Sequence, residues 1–176
     1  MSDDAATEPS SADTTAKAEI TWEDLTQTSN WHGAPDRVLA EMSDFADGAS
    51  AGVGVTLIIP GGVLSGVIIS AQDYFATVAA RFREAAADDD DEQKIKIANE
   101  YARMFYDEPA QRVQERVDGD RASFKAGTVP PPRWPLARYI HLRDADFIVP
   151  GGPALQLGLT RVLLSQIVGW TPGTLG

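Results

Sequence analysis

The chain has 176 residues, 43% of them hydrophobic, with 26 acidic residues against 15 Lys and Arg, a net charge of −11 and no cysteine. That length holds one ordinary domain with a real core, and the lack of thiols excludes a disulfide framework, thiol catalysis and thiolate metal sites. The acid excess repels a phosphate backbone, so nucleic acid is not an expected partner. No long uninterrupted apolar run and no signal-like start occur, so the expectation is a cytoplasmic protein without membrane insertion.

Residues 1–17, "MSDDAATEPSSADTTAK", lack bulky apolar side chains after Met1 and read as a disordered acidic tail. Residues 18–176 then read as a single α+β domain. The segment at 20–33 carries Trp22, Trp31 and His32 without clear periodicity and reads as irregular. In "APDRVLAEMSDFADG" (34–48), Pro35 stands at a helix start and Val38, Leu39, Met42 and Phe45 fall at helical spacing, which predicts a short amphipathic helix.

"GVGVTLIIPGGVLSGVIIS" (52–70) predicts two antiparallel strands around Pro60, Gly61 and Gly62. Proline presets φ near −65° and glycine accepts positive φ, so such a stretch reverses the chain in few residues. "IVPGG" at 148–152 offers the same chemistry a second time. Neither copy belongs to a phosphate loop, since GxxxxGK[ST] and GxGxxG are both absent.

Ser70 three residues before Asp73 is a partial capping pattern, and Tyr74, Phe75, Val78, Ala79, Phe82 and Ala86 mark one face of a helix reaching Ala87. The run "DDDDE" (88–92) reads as a solvated link, lacking the spaced acids, glycine and distant glutamate of a calcium loop. A further helix over 91–106 uses Ile97, Ala98, Tyr101, Met104 and Phe105. Residues 108–135 read as a polar, proline-rich loop or linker.

In "LARYIHLRDADFIVPGG", Ile140 and Leu142 share one parity while Ala145, Phe147 and Val149 take the other, which predicts a bulge near Arg143 and Asp144. Beyond the turn, Leu155, Leu157 and Leu159 alternate and Val162 and Leu164 follow in the opposite phase, so a second break is expected near Thr160 and Arg161. Trp170 either seals the core or meets a partner. The expected fold is a small antiparallel sheet or open barrel built from two hairpins with Pro-Gly-Gly turns. One helix precedes them and two are inserted between them.

Candidate chemistry is sparse. His141 lies near Asp144 and Asp146 but at odd separation, so it faces away from both unless the bulge reorients them. Asp144 and Asp146 share parity and could hold a divalent cation, yet two carboxylates fall short of the six or more donors such a cation takes. The bland readings are a structural strand histidine and an ionised rim paired with Arg143 or Arg138. No catalytic, cofactor-binding or metal-ligating residue is assigned and no cofactor is expected. An RNA-binding small barrel of Sm-like shape fits "GGVLSGVIIS" but conflicts with the acidic balance.

Three blocks, "TLIIPGGVLSGVIISAQDYF" (56–75), "YIHLRDADFIVPGG" (139–152) and "RVLLSQIVGWTPGTL" (161–175), resemble the gas-vesicle accessory protein U (GvpU) family over about residues 35–175. The resemblance implies a non-enzymatic cytoplasmic protein on or near gas vesicles that associates with shell proteins and promotes clustering or assembly through self-association. It implies a homo-oligomer or condensate and carries over no catalytic residues. The competing expectation is a small enzyme or ligand-binding barrel with a polar pocket around Tyr139, His141, Asp144 and Asp146.

Overall fold

A computed structural model describes residues 35–49, 51–87, 89–128 and 138–175. The predicted acidic tail, the segment with Trp22, Trp31 and His32, and the proline run at 130–132 lie outside the described residues. Helix α1 (Arg37–Ala49) precedes strands β1 (Gly54–Ile59) and β2 (Gly62–Ile69). Helix α2 (Ala71–Ala87) and a long rod made of α3 (Glu92–Ala102), a π turn (Arg103–Asp107) and α4 (Glu108–Lys125) follow, and then β3 (Tyr139–Ile148), β4 (Ala154–Leu163) and β5 (Gly169–Pro172). The strands form one open antiparallel sheet of five, in the order β4-β3-β2-β1-β5.

Local chemistry explains where the elements start. Asp36 caps α1, its Oδ1 accepting the Leu39 amide at 3.0 Å. Ser70 does the same for α2, accepting the Asp73 amide at 2.9 Å, and Asp91 accepts from Gln93 at the head of α3. Between β1 and β2, Ile59 pairs with Gly62, so only Pro60 and Gly61 make the turn, with Gly61 at φ 98°. Gly62 serves a different purpose: a Cβ there would stand 2.5 Å from the Ile148 carbonyl oxygen of β3. Between β3 and β4 the loop is longer, from Ile148 to Ala154. Within it the Gly152 amide donates to the Val149 carbonyl at 3.0 Å, with Gly151 at φ 75°.

The main core lies on one sheet face. Val55, Leu57, Leu64, Ile68, Ile140, Leu142 and Ala145 gather there with Leu39, Ala40 and Ala46 of α1, and Trp170 packs partly buried against the cluster, paired with Leu57. The buried side of α1 is thus Leu39, Ala40, Ser43, Ala46 and Asp47, while Val38 and Phe45 face outward. Because strand side chains alternate, Tyr139 and His141 point to the opposite face. There α2 lays Tyr74 and Phe75 over His141. Further along that face, the chain end crosses β1 and β2: Thr56 Oγ1 donates to the Gly173 carbonyl at 2.8 Å, and the Leu175 amide donates to Ser65 Oγ at 2.8 Å.

The bulge appears where the parity switch predicts it. β3 carries an extra residue at Arg143 and Asp144 against both neighbours, and Asp144 takes φ 50°. The break in β4 falls at Gly158, φ 69°, rather than near Thr160 and Arg161 as expected, because glycine adopts the left-handed region without the Cβ penalty.

The expected loop over 108–135 is corrected over its first 18 residues, since Glu108–Lys125 is α-helical, which makes three helices rather than two between the hairpins. The proline at 109 is tolerated because it sits in the first turn of α4, directly after the widened π turn, where the Glu108 amide reaches back to Arg103. The helix is then tied down by tertiary contacts. Val117 is buried, Arg116 pairs with Asp44 and Asp47 of α1, and Arg121 donates to the Gly48 carbonyl at 2.9 Å.

Candidate functional site

The residues proposed for chemistry do not converge. The bulge does turn Asp146 onto the His141 face, since His141 pairs with Ile69 and Asp146 with Ser65, two positions of equal parity on the regular strand β2. Those positions are four residues apart, about 13 Å at the rise of a strand. Asp144 stands in the bulge itself, its side chain 81% exposed, with Arg143 Nε at 3.7 Å as ion partner. Among the described residues no three His, Asp or Glu side chains come together as a metal-holding group.

His141 is 4% exposed, with the Tyr74 and Phe75 rings centred 4.7 and 5.6 Å away. Neither ring nitrogen meets a protein hydrogen-bond donor or acceptor among the described residues. Burial, helped by the nearby Arg161 cation, lowers its pKa from 6.5 to about 4. The imidazole is therefore neutral at pH 7 and almost wholly shut away from solvent. Arg161, opposite it on β4, lays its guanidinium over the Tyr139 ring at 3.7 Å and over Phe75 at 5.5 Å. Sequence reading missed this stack; the signal available was an aromatic and an arginine on neighbouring strands of one hairpin.

A groove of about 370 Å³ runs between α2 and the bulge, lined by Ile69, Asp73, Thr77, Arg81, Asp144 and Leu159. It includes Asp144 but neither His141 nor Asp146, so the pocket expected around those three residues is not what forms there.

Two surfaces stand out instead. The first is the outer edge of the sheet. β4 is ten residues long and its only charged residue is Arg161, yet among the described residues it pairs with a strand on one side only, and Leu155 and Leu157 are about half exposed. The opposite edge, β5, has four residues and ends in Pro172, a short and proline-blunted form. The second surface is the apolar face of the rod over α3 and the π turn. Ile97, Tyr101, Met104 and Phe105, which the spacing places on one helix face, lie outward at 60, 42, 51 and 53% exposure. The rings of Phe82, Tyr101, Phe105 and Tyr106 form a connected cluster there, with centroids 4.5 to 5.3 Å apart between successive partners. The periodicity alone reads as a core face; nothing in it says that Phe82 of α2 meets Tyr101 and Tyr106 while Ile97, Met104 and Phe105 stay more than half exposed.

The family model described as gas vesicle protein GvpU-like matches residues 36–175, four fifths of the chain and every described element. The chain belongs to the GvpU-like gas-vesicle protein family. No curated protein and no solved structure matches it. Membership in a GvpU-like family points to a gas-vesicle protein, a family generally structural rather than enzymatic. Among the described residues no helix is long and apolar enough to cross a membrane. In this GvpU-like protein the surface features that stand out among the described residues are the edge of β4 and the aromatic face of α3 and the π turn.

Proposed function

We propose that this protein is a non-enzymatic accessory of gas vesicles that associates with the vesicle shell and promotes clustering or assembly through self-association in the cytoplasm. The observation that carries the reading is the β4 edge, joined to family membership. A long edge with a single charge and exposed leucines is a template for pairing with a further strand, and proteins that must stay monomeric blunt such edges, as β5 is blunted here. Shell proteins and other copies of the chain are the partners proposed, with no nucleic acid and no cofactor.

The test is co-flotation. Purified protein is mixed with isolated gas vesicles at low and high salt, and the floated layer is assayed for it. The expected result is recovery with the vesicles in both, because an interface built from backbone pairing and leucines is only weakly screened. Protein left in the subnatant under both conditions would reject shell association.

A further inference from the structure

The aromatic face of α3 is an expensive surface to leave in water. Ile97, Tyr101, Met104 and Phe105 recur at intervals of four, three and one along the rod, the anchor pattern of a helix that lies against another surface. We infer that its occupant is a second copy of this chain, docked as an antiparallel helix pair that crosses at Tyr101.

The choice of occupant comes from the symmetry of the sequence about that ring. Ile97 stands four residues before Tyr101 and Phe105 four after it; Asp90 stands eleven before and Arg112 eleven after. A two-fold axis at Tyr101 therefore sets Ile97 against the second copy's Phe105. It also brings the exposed acids at the head of α3, Asp90 to Glu92, toward the exposed Arg112 of the other copy, and does both twice. In a parallel pair the acidic heads would meet each other and repel. The π turn follows immediately and carries Met104 and Phe105, so the ridge runs on from α3 across the local widening of the helix.

Such a pair consumes one face of each copy and leaves both β4 edges available. A chain with one shell-binding edge coats a vesicle, whereas a two-fold dimer carries two and can bridge vesicles. The use of the dimer in clustering rests on the function proposed above; the dimer itself does not.

The full chain is examined by sedimentation over a range of concentrations, with vesicle co-flotation in parallel. The expected result is a reversible dimer, weakened about thirtyfold by Phe105→Lys, the size of an interface hot spot. Arg112→Asp should weaken it too, and Asp90→Arg added to Arg112→Asp should restore it, which guards against a misfolded Phe105→Lys. Since the chain has no cysteine, Glu100→Cys, beside the proposed axis, should oxidise to a disulfide-linked dimer while Phe124→Cys should not. A wild type that stays monomeric while still floating with vesicles overturns the dimer and leaves the shell role intact. Self-association indifferent to both the lysine and the charge reversal places the interface elsewhere and also overturns it. A dimer that behaves as described but never floats supports the interface and rejects the vesicle role.

Discussion

Arg116 of α4 reaches the carboxylate of Asp47 at the end of α1, and that same carboxylate accepts the Ala71 amide of α2 at 2.7 Å. One buried acid thus joins three helices: it caps one, neutralises a cation of another and belongs to the third. Asp47→Asn keeps a cap acceptor and loses only the charge, so it should cost about 1 kcal/mol. Asp47→Ala removes both functions and leaves the half-buried Arg116 guanidinium with the longer Asp44 pair at 3.6 Å, at about 2 kcal/mol. Urea unfolding of the two variants checks the order; equal losses would mean that the cap and the ion pair are not separate contributions.

His141 predicts a pH dependence with a definite sign. Its folded pKa, about 4, lies below the ordinary 6.5, so between those values the unfolded chain binds the proton and the folded chain does not. The stability that comes from keeping it neutral is complete above pH 6.5, declines as pH falls toward 4, and amounts to about 3 kcal/mol at most. Urea midpoints of the wild type between pH 7 and 4, set against those of His141→Phe, isolate the contribution. The phenylalanine variant should lose less over that window; parallel curves would show that acid acts elsewhere.

Two glycines should respond oppositely to alanine. At Gly62 a methyl would meet the Ile148 carbonyl oxygen and the Phe147 ring inside 3 Å. Pushing β3 away from β2 should cost about 2 kcal/mol or more. Gly119 lies inside α4 with open space around its Cβ position, so Gly119→Ala should stabilise by about 1 kcal/mol through helix propensity. Thermal melts with opposite shifts would bear this out.

Much of this fold is legible from alternation alone. The first hairpin follows from apolar parity around Pro60 and Gly61, and the bulge at Arg143 and Asp144 follows from a parity switch, because a sheet that buries a face cannot tolerate a slipped register. The α4 helix is not legible. Gly119, Pro109 and sparse apolar residues lower its local preference, and what holds it, Arg116 on Asp47 and Arg121 on Gly48, spans more than sixty residues of sequence. β5 escaped for a similar reason: Gly169–Pro172 has little strand character and forms only because β1 presents it an edge. As for the site, parity sets His141 away from the two aspartates; the bulge turns Asp146 onto its face, but the register keeps the two four β2 positions apart. The aromatic face of α3 is visible as a face, but its exposure depends on what α2 can cover.

An edge variant, Leu155→Lys with Leu157→Lys, should keep the fold, because both side chains are already half in water, and should weaken strand addition at β4 by placing charge on the edge. Circular dichroism checks the first expectation and co-flotation the second. A variant that floats as fully as the wild type would remove β4 from the shell contact.

The most direct test of a cohesive vesicle accessory is light scattering from isolated gas vesicles as purified protein is titrated in, with the β4 edge variant alongside. The account predicts scattering that rises with wild-type protein as vesicles aggregate and stays near baseline with the variant. Vesicles that remain dispersed at every wild-type concentration, at low and at high salt, would contradict it.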